Sequence, residues 1–193
     1  MADEREKWDQ IYRRGSGVTP TAARVLRDNE HLLNGGRGLE IACGLGANAL
    51  LLAARGVQTE AWDISPVAID RLRALAQESG LPLQGVVRDV AQQPPESESY
   101  DVIVVTHFLE RALAPHIIAA LRPGGLLFYQ TFTRTRVSDA GPKNEAFRLA
   151  TGELLMLFAP LRIVVYREEG RLGDLGTGFR GEALLVAQKK GKN

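Results

Sequence analysis

Apolar and polar positions alternate in a regular rhythm along this chain: short runs rich in Val, Ile and Leu are separated by stretches where apolar residues recur every three or four positions. Seven runs have strand character, at residues 38–43, 57–62, 83–88, 101–106, 126–132, 161–167 and 183–188. Between them the helical period predicts helices near 47–55, 66–79, 109–121 and 151–159. Ser65 provides an N-cap, Pro66 a first helical residue and Gly80 a stop, so Ile69, Leu72 and Ala76 share the face turned toward the strands. Strand–helix alternation of this kind builds a mostly parallel sheet with helices packed over it.

The flanking segments add detail. Trp8, Ile11 and Tyr12 fall at i, i+3 and i+4 and give a charged N-terminal helix one apolar stripe, which must pack against something. Gly15, Ser16 and Gly17 end that helix, and Thr19 followed by Pro20 opens a second one running toward Leu33, with a turn at 34–38. Two connections exceed ordinary turns. Residues 91–99 are rich in Pro, Gln and Glu, and residues 133–150 carry Arg134, Arg136, Lys143 and Arg148. The second has the length of a functional lid or of a surface insert.

At 193 residues the chain has the size of one domain. Twenty-four Lys plus Arg against 23 Asp plus Glu leave a formal charge of +1, without the basic excess that binding nucleic acid requires. With 45% apolar and 24% charged residues the composition is that of an ordinary globular domain. The N-terminus lacks the apolar core of a signal peptide, and no apolar run approaches the roughly 18 residues that span a bilayer, so the expected address is the cytoplasm, away from membranes. Cys43 is the single cysteine, which excludes an intramolecular disulfide and a cysteine metal cluster. His31, His107 and His116 lack metal-ligand spacing, and no metal is expected.

The strongest local signal is Leu39-Glu40-Ile41-Ala42-Cys43-Gly44-Leu45-Gly46-Ala47-Asn48-Ala49, a strand that enters a Gly-x-Gly turn and then a helix. Glycine at 44 and 46 lets the backbone turn tightly and come close to a ligand. Asp63 ends the next strand 19 residues after Gly44, where an acid accepts hydrogen bonds from ribose hydroxyls. Asp89 ends the third strand, so Glu40, Asp63 and Asp89 gather at the edge where open sheets bind ligands, although Asp89 also suits a turn or helix cap. Gly44-x-Gly46-x-x-Ala49 satisfies the dinucleotide fingerprint as well, which keeps an NAD-dependent oxidoreductase open. Glu40 tilts the choice, because a carboxylate beside the turn repels a pyrophosphate and welcomes an ammonium or sulfonium.

Glu40-Ile41-Ala42-Cys43-Gly44-Leu45-Gly46 resembles the first motif of class I S-adenosylmethionine-dependent methyltransferases. Ala61-Trp62-Asp63-Ile64-Ser65 is similar to the ribose-binding end of their second strand and Val87-Arg88-Asp89-Val90 to the adenine-contacting end of their third. Tyr100-Asp101-Val102-Ile103-Val104-Val105 resembles their fourth strand, and Leu121-Arg122-Pro123-Gly124-Gly125-Leu126-Leu127 the turn into their fifth; the likeness spans 38–132. It implies a Rossmann-like α/β fold: a seven-stranded, mostly parallel sheet with one antiparallel strand, helices on both faces, in a single domain over 1–193. Within it 1–33 would form a helical cap, 38–132 the cofactor-binding core, 133–150 a lid loop, and 151–190 a final helix and strands. The opening Trp8-Asp9-x-x-Tyr12 with Thr19-Pro20 looks like the tellurite-resistance and thiopurine methyltransferase branch.

The implied cofactor is S-adenosylmethionine. Glu40, Ala42 and Gly44 would line its methionine portion, Asp63 and Ile64 would hold and flank the ribose, and Asp89 and Val90 would address the adenine. Cys43, Gly46, Asn48 and Ser65 belong to the same cofactor-binding set, and Thr106 and His107 would lie beside the sulfonium and the incoming acceptor. Trp8 and Tyr12 would cover the site, or else only pack their helix. Ala42 stands where many members carry glycine, which ordinary backbone angles at Ala42 would accommodate.

Methyl transfer from a sulfonium is an in-line displacement that depends chiefly on positioning, with the acceptor about 3–3.5 Å from the methyl carbon. His107 is the candidate catalytic base for a protic acceptor, against the alternative of a loop histidine. Cys43, inside the turn with no partner base, reads as a small packed residue. Arg134, Arg136, Lys143, Arg148, Arg167, Arg171 and Arg180 would suit an anionic acceptor if they converge, or else form solvated surface. The expected activity is methylation of a small molecule, with tellurite or selenite, thiols, and aromatic or carboxylic acids all open as acceptors. A nicotinamide oxidoreductase and a cofactor-binding module without turnover are the alternatives.

Overall fold

Side-chain alternation along the middle strand shows how the core is divided. In β4 (Tyr100–Thr106), Ile103 and Val105 pack into one apolar cluster with Trp62, Tyr129 and Phe158, while Val102 and Val104 pack into another with Leu26, Phe128 and Val186. Both faces of the sheet are therefore buried, as a parallel sheet with helices on each side requires. The computed structural model describes residues 2–15 and 21–191.

The other strands are β1 (Arg37–Ile41), β2 (Gln58–Asp63), β3 (Leu83–Val87), β5 (Leu121–Phe132), β6 (Arg162–Arg167) and β7 (Glu182–Gln188). They form one sheet in the order β3-β2-β1-β4-β5-β7-β6. β7 runs antiparallel to both neighbours and the remaining pairs are parallel, as expected for a single reversed member. The helices are α1 (Ala2–Arg14), α2 (Arg24–Arg27), α3 (Ala47–Ala54), α4 (Pro66–Glu78), α5 (Ala114–Ala120) and α6 (Glu153–Leu157). α4 begins where its cap predicts, with Ser65 Oγ accepting the Ala68 N–H at 3.2 Å.

Three elements depart from expectation. The helix expected to run from Pro20 to Leu33 is, within the described residues, the single turn of α2 followed by a 3-10 turn at Glu30–Leu32. Asn29 interrupts it by bonding its side-chain N–H to the Val25 carbonyl at 2.9 Å, the local competition that makes asparagine a poor helix-interior residue. Thr19 and Pro20 lie outside the described residues. The helix expected over 109–121 starts late, because Glu110 caps a 3-10 turn at Arg111–Leu113 before α5 begins. β5 starts at Leu121, earlier than predicted, and pairs with Tyr100 ahead of a register shift in β4.

The segment 133–150 is fastened to the carboxyl end of β5 and to itself. Arg148 is 1% exposed and donates to the carbonyls of Pro142 at 2.6 Å, Thr133 at 2.9 Å and Ala140, while Thr133 bridges to Leu149. Burial holds its guanidinium below its ordinary basicity, with Arg136 acting in the same direction. Phe132 lies under that guanidinium, 5.4 Å away, and on its other neighbour packs the ring of His107.

Candidate functional site

β1 and β4 lie side by side at the centre of the sheet, and the chain leaves them toward opposite edges. Their carboxyl ends, with those of β2 and β3, meet at the switch point where open sheets bind ligands. A cavity of about 610 Å³ opens there, within the range of small-molecule sites.

The floor is the glycine turn. Gly46 N–H bonds to the Cys43 carbonyl at 2.8 Å, and Gly44 and Gly46 both have positive φ. A Cβ at Gly46 would lie 2.4 Å from Leu72 Cδ1, so nothing larger fits between turn and α4. Ala42 does not have the ordinary angles expected of it: its φ is +53°, in the left-handed region, where a non-glycine residue costs about 1–2 kcal/mol. His107, across the cavity, has φ +54°, so two strained residues face the same space.

Two carboxylates hold this turn from beneath. Glu40, 1% exposed, accepts the Asn48 amide at 2.7 Å on one oxygen and the Ala49 N–H at 2.7 Å on the other. Burial pushes its carboxyl up to about 8, against the pull of those two bonds. Asp63 accepts the Gly44 N–H at 2.7 Å and the Ser65 N–H at 2.9 Å, and burial raises it too. Asn48 extends the network, accepting the Ala23 N–H at 2.7 Å and donating to Thr106 Oγ1 at 3.0 Å. Asp89 performs the turn role that was one of its two expectations, accepting the Ala91 N–H at 3.1 Å, and also lines the cavity beside Val90.

α1 forms the roof. Asp9, 8% exposed, accepts a hydrogen bond from Ser65 Oγ and ties α1 to the start of α4. Trp8 and Tyr12 stack at 5.8 Å and both line the cavity, whereas Ile11, the third member of the expected stripe, is 46% exposed and does not line it. Tyr12 Oη would be 2.8 Å from a Cβ at Gly44, and burial next to Asp63 raises its hydroxyl pKa.

Of the expected cofactor residues, Trp8, Tyr12, Glu40, Ala42, Cys43, Gly44, Gly46, Asn48, Asp63, Ile64, Asp89, Val90, Thr106 and His107 all line this one cavity. Ser65 does not: it is fully buried behind the turn, where its hydroxyl joins α1 to α4. Cys43 is 7% exposed with a thiol raised by burial, which agrees with a packed residue. Arg88, Phe108, Glu4 and Glu110, none of them an expected site residue, also line the wall. Arg88 immediately precedes Asp89 and was legible as a neighbour; its guanidinium lies 3.9 Å over the Trp62 ring and bonds the carbonyls of Gln93 and Pro94.

His107 stands at the end of β4. Its backbone N–H bonds to the Gln130 carbonyl at 2.8 Å, its ring sits 4.9 Å from Phe132, and its Nε2 is 3.3 Å from Glu182 Oε1. The other oxygen of Glu182 accepts the Gln130 amide at 2.6 Å. Burial tends to raise the Glu182 carboxyl, but the His107 imidazole and the Gln130 amide outweigh it and hold the group below its usual range. No local pattern marks Glu182, which lies 75 residues away in sequence.

The arginines do not converge on the cavity. Arg136 and Arg148 bond loop carbonyls, Arg171 bonds the Arg136 carbonyl, and Arg167 and Arg180 pair with Glu169. Among the described residues, five acids, Glu4, Glu40, Asp63, Asp89 and Glu110, line the wall with one arginine, Arg88. Such a wall suits a ligand with hydroxyls and positive charge, as S-adenosylmethionine has, because a nearby cation favours the ionised form of each carboxyl. Among the described residues no cluster of three or more His, Cys, Asp or Glu could hold a metal ion, and no helix is long and apolar enough to cross a membrane.

Sheet order, switch-point cavity and acidic wall together define a Rossmann-like enzyme built around a nucleoside cofactor. The model of a methyltransferase domain family matches residues 14–189, and the chain belongs to that family: it is a class I S-adenosylmethionine-dependent methyltransferase. A ubiquinone biosynthesis O-methyltransferase of Stutzerimonas stutzeri is 30% identical over 174 residues, covering 84% of this chain and 71% of that one. Geranyl diphosphate C-methyltransferase of Streptomyces coelicolor, solved with Mg2+, geranyl diphosphate and S-adenosyl-L-homocysteine, aligns with a TM-score of 0.73 at 13% identity, covering 96% of this chain and 97% of that one. TehB of Haemophilus influenzae aligns with a TM-score of 0.70 at 21% identity, covering 95% and 67% respectively. The latter two likenesses are likenesses of fold.

Proposed function

We propose that this methyltransferase acts on a hydroxyl group of a small, uncharged or cationic molecule, with His107 as the base that receives the hydroxyl proton. The observation that carries this reading is the continuity of one cavity from the glycine turn to Thr106, His107 and Phe108, so that cofactor and acceptor share a single wall. Bound S-adenosylmethionine supplies a methyl group already activated on a sulfonium, and the chain's task is to orient, desolvate and remove a proton.

Glu40 and Asp63 hold the turn in its ligand-binding shape, and Glu40 answers the charge of the methionine ammonium. Asp63 and Asp89 address the hydroxyls and the base, between the apolar surfaces of Ile64 and Val90. Trp8 and Tyr12 close over the bound molecule and exclude water, which strengthens every electrostatic contact beneath them. On the acceptor side Phe108 offers a flat apolar surface, while Glu4 and Glu110 oppose a carboxylate or an oxyanion such as tellurite. The O-methyltransferase relative supports a hydroxyl acceptor, and the cavity's size and the chain's balanced charge support a small molecule over nucleic acid.

A panel assay tests this reading. Protein and methyl-labelled S-adenosylmethionine are incubated with phenols and catechols, thiols, aromatic carboxylic acids, and selenite and tellurite. Label is expected in methyl ethers of the phenolic compounds. Label in thiols or oxyanions alone would overturn the acceptor class.

A further inference from the structure

The direction of every link in the hydrogen-bonded chain behind His107 can be read from its buried end. The Val25 backbone N–H can only donate, so the Gln130 atom 2.8 Å from it is the amide oxygen. That fixes the orientation of a side chain only 5% exposed and aims its N–H at Glu182 Oε2, 2.6 Å away. An ionised carboxylate can only accept, and the second oxygen of Glu182 faces His107 Nε2 at 3.3 Å. The Nε2 position must then carry the proton. In the neutral imidazole Nδ1 then keeps its lone pair, on a side chain that is 45% exposed and lines the cavity.

Resting on the reading of His107 as the acceptor's base, we propose that Glu182, itself held by Gln130, is a positioning residue that locks His107 in the Nε2–H tautomer. Nδ1 thereby becomes the atom that receives the substrate proton. As the acceptor oxygen's lone pair forms its bond to the methyl carbon, the carbon–sulfur bond breaks with its electron pair remaining on sulfur. The O–H proton passes to Nδ1, and the carboxylate of Glu182 offsets the charge of the imidazolium. The acceptor class that needs this device loses a proton on methylation, as a phenol or catechol does. The same short stretch serves both sides of the cavity: Ala23 N–H holds Asn48 beside the cofactor turn, and Val25 N–H holds Gln130 behind His107.

The test is imidazole nitrogen NMR on the uniformly 15N-labelled protein, with the His107 signals assigned by their loss in His107→Asn. It needs no acceptor. The neutral ring is expected to show Nε2–H, and an Nδ1–H tautomer in the wild type would overturn the proposal. In Glu182→Gln the new amide must turn its oxygen toward Gln130, which presents N–H to Nε2 and drives the ring to Nδ1–H. Turnover of the phenolic acceptor should fall about a hundredfold or more, with S-adenosylmethionine affinity unchanged, as general-base catalysis is worth about that much. Exchanging the two groups, Gln130→Glu with Glu182→Gln, should restore Nε2–H and part of the rate, a recovery that a merely structural role would not produce. A tautomer unmoved by Glu182→Gln, or one not restored by the exchange, overturns the proposal. Full turnover by His107→Asn would instead sink the base reading on which it rests, whatever the tautomer.

Discussion

Replacing Asp63 with alanine is expected to weaken S-adenosylmethionine binding roughly tenfold to a hundredfold, on the order of 1–3 kcal/mol. Two losses add. The side chain accepts the N–H groups of Gly44 and Ser65, so its removal leaves two donors without their partner and releases the turn that must lie close against the ligand. The proposed ribose contact goes with it. Asp63→Asn separates these effects, because its one remaining oxygen can satisfy only one of the two backbone donors while its NH2 opposes the other. Calorimetric titration alongside thermal melts of the free proteins checks this. Asparagine should fall between wild type and alanine in both. Unchanged affinity and melting in Asp63→Ala would show that neither turn nor ligand depends on the carboxylate.

The second large effect is on turnover. With S-adenosylmethionine saturating, His107→Asn should lower kcat about 10²- to 10⁴-fold, the usual worth of a general base. Cofactor affinity should stay within a few-fold of wild type, since the backbone bond from residue 107 to the Gln130 carbonyl is retained. Asparagine is the substitution of choice because residue 107 has φ +54°, a conformation that Asn tolerates better than most non-glycine residues. A rate within threefold of wild type under these conditions would remove His107 from the chemistry and leave positioning as the chief contribution of the chain.

The strands were legible because Val, Ile and Leu mark segments buried on both faces, and the start of α4 because Ser65-Pro66 is a strong local signal. The turn and the acids at the strand ends were legible as a constellation. Their immediate bonding was not: Glu40 and Asp63 both use their oxygens on neighbouring N–H groups, and spacing alone does not reveal a hydrogen-bond partner. Ser65 was expected at the ligand and does not line the cavity, since its hydroxyl is buried and engaged by Asp9 of a helix 56 residues earlier. Strain at Ala42 was invisible for a related reason: a residue's φ is set by what clamps it, here the turn between Glu40 and Asp63. Glu182 and Gln130 come from distant strands brought together by the β5–β7 pairing, which no local pattern encodes. The arginines of 133–150 carried a sign but no direction, and Arg148 spends its guanidinium on carbonyls of its own loop.

One titration tests most directly whether the acidic wall is the seat of S-adenosylmethionine. Calorimetry at pH 7 with S-adenosylmethionine, S-adenosylhomocysteine and NAD, repeated in buffers of different ionisation heat, counts protons as well as binding. Burial pushes Glu40 up to about 8, so at pH 7 the free protein holds it largely protonated; a docked ammonium favours the carboxylate, and the proton leaves. Saturable binding of both sulfur ligands and not of NAD is expected, with release of up to about one proton that Glu40→Gln abolishes, and with affinity that tightens as pH rises toward 8. Binding of NAD in place of the sulfur ligands, or S-adenosylmethionine binding with no proton released and no response to Glu40→Gln, would contradict the account.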